Sequence, residues 1–185
     1  TYTGGTQITG GTLSFDYATR TALGTGGIEV SQDSTLLYAV NASGGKTTSL
    51  FSNNVTGTGT IILDNTGQDE TKINNAVFAG FEGELVLRGN LRFHGETGDS
   101  LASIQAITVE SGTHLYMDNE SSAGTPWNQN FTIAGTGTGT GNDKAGALRM
   151  DNTTISGNLT LSADASIIVY IAGTSTISGN LIGRD

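Results

Sequence analysis

The feature that most constrains this chain is a series of short apolar pairs, each with one residue between its two members. Alternation with a period of two places both members of a pair on the same face of a β-strand. Each run spans only three to five residues and is bounded by Gly, Asn or Asp, which interrupt strands. The pattern predicts an all-β chain of many short strands. The pairs are Leu13/Phe15, Ile28/Val30, Leu36/Tyr38, Ile61/Leu63, Leu85/Leu87, Leu91/Phe93, Ile107/Val109, Leu115/Met117, Phe131/Ile133, Leu148/Met150, Leu159/Leu161 and Ile167/Val169.

An internal repeat indicates how these strands are arranged. The run Ile-Ser-Gly-Asn-Leu occurs at Ile155 and again at Ile177, 22 positions later. Similar units of roughly 20 residues, repeated head to tail, are typical of a coiled β-solenoid. Hairpins favour Asn-Gly or Asp-Gly turns, and the sequence contains neither. We therefore predict a parallel β-helix of about seven to nine coils, with an antiparallel β-sandwich as the alternative.

Three Asp-Asn pairs, each after an inward-facing residue, predict one recurring kind of corner, because Asp and Asn tolerate a left-handed backbone. They lie at Leu63-Asp64-Asn65, Met117-Asp118-Asn119 and Met150-Asp151-Asn152. The polar segments 41–50, 66–75, 95–103 and 120–130 are predicted to be loops that project from coils. Nothing marks a domain boundary. Residues 1–185 are therefore predicted to be a single β-helix segment of a longer repetitive protein.

The composition limits the possible partners. The chain carries 17 acidic residues against eight Lys and Arg, for a net charge of −9. Such a surface repels phosphate backbones and lacks a basic face for anionic lipid, which argues against nucleic acid and membrane partners. The longest apolar run, 167–172, is too short to span a bilayer. The absence of cysteine fits a secreted bacterial protein.

The first residues resemble a known family. Tyr2-Thr-Gly-Gly-Thr-Gln-Ile-Thr-Gly-Gly-Thr-Leu13 is similar to the passenger-associated strand repeat of bacterial autotransporters, and residues 131–183 resemble the segments between such repeats. Together the two stretches, 1–30 and 131–183, cover about half of the chain. The resemblance implies a right-handed parallel β-helix that is secreted or displayed at the Gram-negative outer membrane.

The same resemblance implies a function. Proteins of this kind act as rigid stalks or adhesins, so the expected partners are a receptor or glycan on a host or neighbouring cell. Self-association through coil ends is a further expectation. No nucleophile elbow, phosphate-binding loop or other catalytic motif is present in the sequence. We therefore expect no enzymatic activity and no cofactor.

The alternative function is a β-helix that binds or degrades polysaccharides. Hydrolysis requires two carboxylates about 5 to 9.5 Å apart, and Glu82 with Glu84 or Glu96 with Asp99 could supply them. A solvated acidic face is the other interpretation of these residues, because no Lys or Arg cluster accompanies them in the sequence.

Two possible metal sites are weak. His94 and His114 are separated by close to one predicted coil length, so they could stack on one outer face beside Glu110. Calcium could bind at Asp64 or at the pair 142–143, although the fixed spacing of calcium-binding solenoids is absent. We predict no metal. Two exposed histidines and ordinary polar turns are the interpretation that we prefer.

Aromatic side chains could form a carbohydrate-binding platform, with Tyr38, Tyr116, Trp127 and Tyr170 as candidates. The dipeptide Pro126-Trp127 lies in a predicted loop and is expected to be the most exposed of them. We name Trp127 and Tyr116 as candidate ligand contacts. The alternatives are an inward stack for Tyr38 and a lid over a coil end for Trp127.

Overall fold

The computed structural model of the chain describes residues 2–40, 52–73, 75–94, 101–118, 125–138, 146–170 and 174–184. Within these ranges the chain forms 18 strands and two short 3-10 helices, Arg20–Leu23 and Asn75–Phe78. The strands are β1 (Thr6–Ile8), β2 (Gly11–Asp16), β3 (Ile28–Val30), β4 (Ser34–Ala39), β5 (Val55–Gly57), β6 (Thr60–Asn65), β7 (Thr71–Ile73), β8 (Gly80–Phe81), β9 (Glu84–His94), β10 (Ala106–Val109), β11 (His114–Asp118), β12 (Asn130–Gly135), β13 (Leu148–Asp151), β14 (Thr154–Ile155), β15 (Leu159–Ala165), β16 (Ile167–Val169), β17 (Thr176–Ile177) and β18 (Leu181–Ile182).

The strands stack into three parallel faces. Sheet A contains β1, β3, β5 and β8; sheet B contains β2, β4, β6, the first half of β9, β10, β12, β15 and β18; sheet C contains β7, the second half of β9, β11, β13 and β16. Strands β14 and β17 form a separate two-stranded sheet. Every strand pair within the described residues is parallel. The predicted all-β parallel solenoid is confirmed.

The sequence repeat also stacks as predicted. Strand β14 pairs with β17, which sets Ile155 against Ile177 in the adjacent coil. Leu159 pairs with Leu181 in the same two coils. The shared run Ile-Ser-Gly-Asn-Leu is therefore one corner of the solenoid, used twice in succession.

The number of turns is smaller than expected. The solenoid has about six turns, whereas the pattern predicted seven to nine. The reason is that the coils are longer than the predicted 20 residues: aligned residues of sheet B are 22 positions apart at Leu85 and Ile107 and 28 positions apart at Phe131 and Leu159. In addition, the 3-10 helix Arg20–Leu23 follows β2 in the first coil.

The core is a column of inward-facing side chains along the solenoid axis. In sheet B the stacked positions Leu63, Leu87, Val109 and Ile133 are at most 1% exposed. Their neighbours two residues earlier in each strand are buried in the same way. Apart from Val169, which is 52% exposed, the members of the predicted apolar pairs lie in this core or pack against it, as the alternation predicted.

The prediction that all three Asp-Asn pairs mark one kind of corner is wrong. Met117 and Met150 are aligned in sheet C, and so are Asp118 and Asp151, which follow them. Asn119 lies outside the described residues. Leu63 instead aligns with Leu87 in sheet B. Asn152 has the expected positive φ of 50°, but Asn65 is buried, and its amide donates to the carbonyl oxygens of Asn90 (2.6 Å) and Asp69 (2.8 Å).

The segment predicted as a loop at 66–75 contains a strand. Residues Thr71–Ile73 form β7, which pairs with the second half of β9 and starts sheet C. Thr71 and Ile73 are buried and Lys72 lies between them. A buried threonine in place of an aliphatic residue hid this alternation. The predicted loop 41–50 lies outside the described residues.

Candidate functional site

Trp127 lies in the core and not in an exposed loop. Its ring stacks on Phe93 (centroids 5.2 Å apart, planes at 16°) and meets Phe131 edge-on at 6.3 Å. Its backbone N–H donates to the Thr154 carbonyl at 2.8 Å, and its side chain is 2% exposed. The predicted exposure is therefore wrong, and Trp127 has no accessible face to offer a ligand.

A sequence signal for this position was available. Trp127 precedes Phe131 by four positions, just as Phe81 precedes Leu85 and Ile155 precedes Leu159. Phe81 and Ile155 are both fully buried. The bridge between Trp127 and Ile155 confirms that the two residues occupy equivalent positions in consecutive coils.

Tyr116 lies on the outer side of sheet C between two arginines. Strand β11 aligns it with Arg92 in one neighbouring coil and with Arg149 in the other. The guanidinium carbons of these arginines lie 4.6 Å and 4.2 Å from the centre of its ring, at distances typical of cation–π contacts. The phenolic O–H donates to Asp151 Oδ2 at 3.2 Å, and burial raises the pKa of Tyr116. With 7% of its surface exposed, Tyr116 is enclosed, while a direct role in ligand contact stays a prediction.

The stack continues to Tyr170, whose ring centre lies 4.4 Å from the guanidinium carbon of Arg149. We call Arg92, Tyr116, Arg149 and Tyr170 the arginine–tyrosine ladder. Arg149 is only 5% exposed, whereas Tyr170, at one end, is 39% exposed. The four side chains alternate cation and ring, so each interior member contacts a member of opposite character on both sides.

Carboxylates pair with Arg92, the first member of the ladder. Arg92 forms ion pairs with Asp118 and with Glu70, the latter at 3.4 Å. The side chain of Asp118 is 2% exposed. Removing one partner of a buried ion pair leaves an uncompensated charge, which is strongly destabilising. The ladder is therefore an electrostatic connection between successive coils.

Sequence reasoning missed this cluster because its members lie far apart in the chain. Basic residues are dispersed in the linear sequence, but the fold brings Lys72, Arg92 and Arg149 close together on sheet C. The offset between aligned residues changes from each of these strand pairs to the next. No single period would have aligned them.

Of the two predicted carboxylate pairs, Glu82 with Glu84 is the one that lies among the described residues. Glu84 Oε1 accepts a hydrogen bond from Thr108 Oγ1 at 2.6 Å, and Glu82 is exposed two residues earlier. Glu96 and Asp99 lie outside the described residues. In the parts of the chain that the structure describes, no group of three His, Asp or Glu residues could hold a metal ion.

The considered stack of His94 on His114 does not form, and the exposure expected for both histidines is wrong for His114. Register aligns His94 with Asp118 and His114 with Asn90, so the two histidines are at opposite ends of the strand pair. One coil here is longer than the spacing between the two histidines. His114 is fully buried, with Nδ1 at 2.9 Å from the Gly146 carbonyl oxygen. Glu110 is paired instead with Arg88, through bonds of 2.8 Å and 2.9 Å.

The remaining candidates have local roles. The Asp64 carboxylate accepts from the Thr66 N–H at 3.0 Å and so closes its own turn. The pair 142–143 lies outside the described residues. Tyr38 is fully buried against Phe15, with ring centres 4.8 Å apart, and burial raises the pKa of Tyr38 to about 12. The inward stack was the predicted alternative for Tyr38.

Fold and ladder together define this protein as a parallel β-solenoid whose outer faces are connected across coils by polar and charged stacks. The chain matches no protein-family model, and comparison with curated proteins and with solved structures finds no similar protein. Among the described residues, no helix combines the length and the apolar character needed to cross a bilayer.

Proposed function

We propose that this chain is a structural and adhesive segment of a bacterial autotransporter-like protein, secreted or exposed at the Gram-negative outer membrane. In this role it is non-enzymatic: a stiff stalk that presents surfaces and loops to a receptor or glycan on a host or neighbouring cell. The proposal combines the observed solenoid with the resemblance of residues 1–30 and 131–183 to passenger repeats. Association through coil ends belongs to the same proposal.

The observation that carries it is the continuity of sheet B. Eight strands, from β2 to β18, are hydrogen-bonded one to the next in parallel register. Backbone groups inside the stack are therefore paired to the coils on both sides, and the core is one column. Such a stack resists bending because any bend would separate hydrogen bonds on one face while compressing another.

The arginine–tyrosine ladder supports the same role. It joins four consecutive strands of sheet C, from β9 to the residue that follows β16. Buried charge that is balanced by buried charge fixes the register between coils. This arrangement suits a scaffold that must hold its shape.

A bead assay tests the adhesive function. Beads coated with the chain are expected to adhere to epithelial or bacterial cells several-fold more than albumin-coated beads, and soluble chain should compete for this adhesion. Beads that adhere no better than the albumin control would contradict the adhesive role.

A polysaccharide-degrading enzyme is the competing function, and Glu82 with Glu84 is the observation that favours it. The test is incubation of the chain with neutral and acidic polysaccharides, followed by measurement of new reducing ends and unsaturated products. We expect none above buffer. If the chain degrades a polysaccharide and Glu82→Gln or Glu84→Gln abolishes this activity, the protein is an enzyme and the stalk proposal is wrong.

A further inference from the structure

A groove crosses the outside of the corner between sheets A and B. It has a volume of about 490 Å³, within the range of ligand sites. It extends over four successive coils, which at 4.7–4.9 Å per coil makes it roughly 14 Å long. We call it the corner groove. Its polar side chains are Gln32, Asp33, Thr58, Thr60, Glu84 and Gln105.

The groove exists because corner lengths differ between coils. Leu36 follows Val30 by six positions, whereas their partners Ile61 and Gly57 are only four positions apart. The two additional residues form a wall at one end, where Asp33 adopts a positive φ of 64°, which is uncommon outside glycine. The floor contains Gly59 and Gly83, where a side chain would collide with the backbone of the adjacent coil.

The backbone of this corner is already paired between coils. The N–H of Glu84 donates to the Gly59 carbonyl oxygen, and the N–H of Gln105 donates to the Gly83 carbonyl oxygen, both at 3.1 Å. A peptide that docks by strand addition needs open backbone groups. The corner groove therefore presents mainly side chains to a ligand, which disfavours an extended peptide.

The chemistry of those side chains selects the ligand. They comprise hydroxyls, primary amides and two carboxylates, while none of the described residues that line the groove is basic or aromatic. The carboxylates repel anions, and the polar walls offer nothing to an apolar ligand. Amides and carboxylates together accept from and donate to hydroxyl groups. Glu84 is held in place for this by the 2.6 Å bond from Thr108.

We infer that the corner groove binds an extended, uncharged oligosaccharide that lies along the solenoid axis. Its hydroxyls would meet Asp33 and Gln32 at one end and Glu84 and Gln105 at the other. This inference deepens the proposed adhesive function and rests on it, because it names the class of glycan and the surface that recognises it.

The experiment is calorimetric titration of the chain with neutral hexasaccharides of glucose, mannose, xylose and N-acetylglucosamine. At least one is expected to bind saturably. Thr58→Trp places an indole in the groove at an exposed position and should abolish that binding. Glu84→Gln should weaken it roughly tenfold, the effect of losing one charged hydrogen bond. The control Glu29→Gln changes a carboxylate on sheet A, which bonds Gln7 at 3.1 Å, and should bind normally.

Three outcomes would overturn the inference. No hexasaccharide binds, or Thr58→Trp binds a hexasaccharide as well as the unmodified chain does, or the chain binds a Gly-Ser hexapeptide and none of the hexasaccharides. Thermal melting of each variant separates a lost site from a lost fold.

Beads coated with Thr58→Trp separate the two proposals. If cells bind those beads normally and no hexasaccharide binds the unmodified chain, adhesion stands and the groove fails. If hexasaccharides bind but coated beads do not adhere, the groove stands and the adhesive function fails.

Discussion

Replacing Trp127 with alanine is expected to lower the free energy of unfolding by about 3–5 kcal/mol, the usual cost of truncating a buried aromatic side chain. The indole is 2% exposed and contacts both Phe93 and Phe131. Its removal would leave a cavity in a ring cluster that neighbouring coils share. Urea unfolding followed by circular dichroism measures the change.

The control for this prediction is Trp127→Phe. Phenylalanine keeps a ring against Phe93 and should recover more than half of the lost stability. A surface substitution costs within about 0.5 kcal/mol. A Trp127→Ala variant as stable as the unmodified chain would therefore place the indole on the surface, where a ligand could reach it.

Replacing Gly83 with alanine is expected to cost about 3 kcal/mol, at the upper end of the usual range for overpacking. An ideal Cβ at Gly83 would overlap the carbonyl oxygen of Gly59 in the adjacent coil. Because that atom belongs to the backbone, relief requires two coils to move apart. Unfolding in urea again measures the effect.

Gly10→Ala is the matched control. Gly10 turns the corresponding corner of the first coil, between β1 and β2, and an ideal Cβ there meets nothing within 4 Å. The Gly10→Ala variant should be as stable as the unmodified chain or slightly more stable, since alanine reduces the entropy of the unfolded chain. Equal losses at Gly10 and Gly83 would mean that the corner glycines do not stack on one another.

The sequence was sufficient to predict the parallel stack. Alternating pairs such as Leu85/Leu87 and Ile107/Val109 point inward and align with each other in sheet B. Alternation has a strict period of two, so it identifies a buried face without knowledge of the neighbours. The repeat at Ile155 and Ile177 fixed the offset of the last coils for the same reason.

What the sequence did not reveal depends on how one coil aligns with the next. Strand β9 runs from sheet B into sheet C and turns at Gly89, which has a φ of 82° and a close approach to Asn65. The pattern predicted two separate strands there, divided at Gly89 and Asn90, and did not show that they form one continuous strand around the bend. Along sheet C, the number of positions between aligned residues of neighbouring strands varies widely. No single repeat length therefore aligns Arg92, Tyr116 and Arg149 in the sequence.

The candidate site was the least predictable part for a related reason. Aromatic residues were judged by their local surroundings, and Pro126 beside Trp127 suggests a loop. Burial of Trp127 depends instead on Ile155 in the next coil. The corner groove is likewise invisible in the sequence, because it arises from a difference in length between two corners.

The most direct test of the parallel stack is a pair of distances between spin labels on the outer face of sheet B. Thr12 aligns coil by coil with Thr35, Thr60, Glu84, Ala106 and Asn130. The chain has no cysteine, so Thr12→Cys can be combined with Ala106→Cys or Asn130→Cys and labelled cleanly. At about 4.8 Å per coil, the two pairs should lie roughly 19 Å and 24 Å apart, with the second longer by one coil spacing. Equal distances, or a shorter second distance, would contradict successive parallel stacking of these coils.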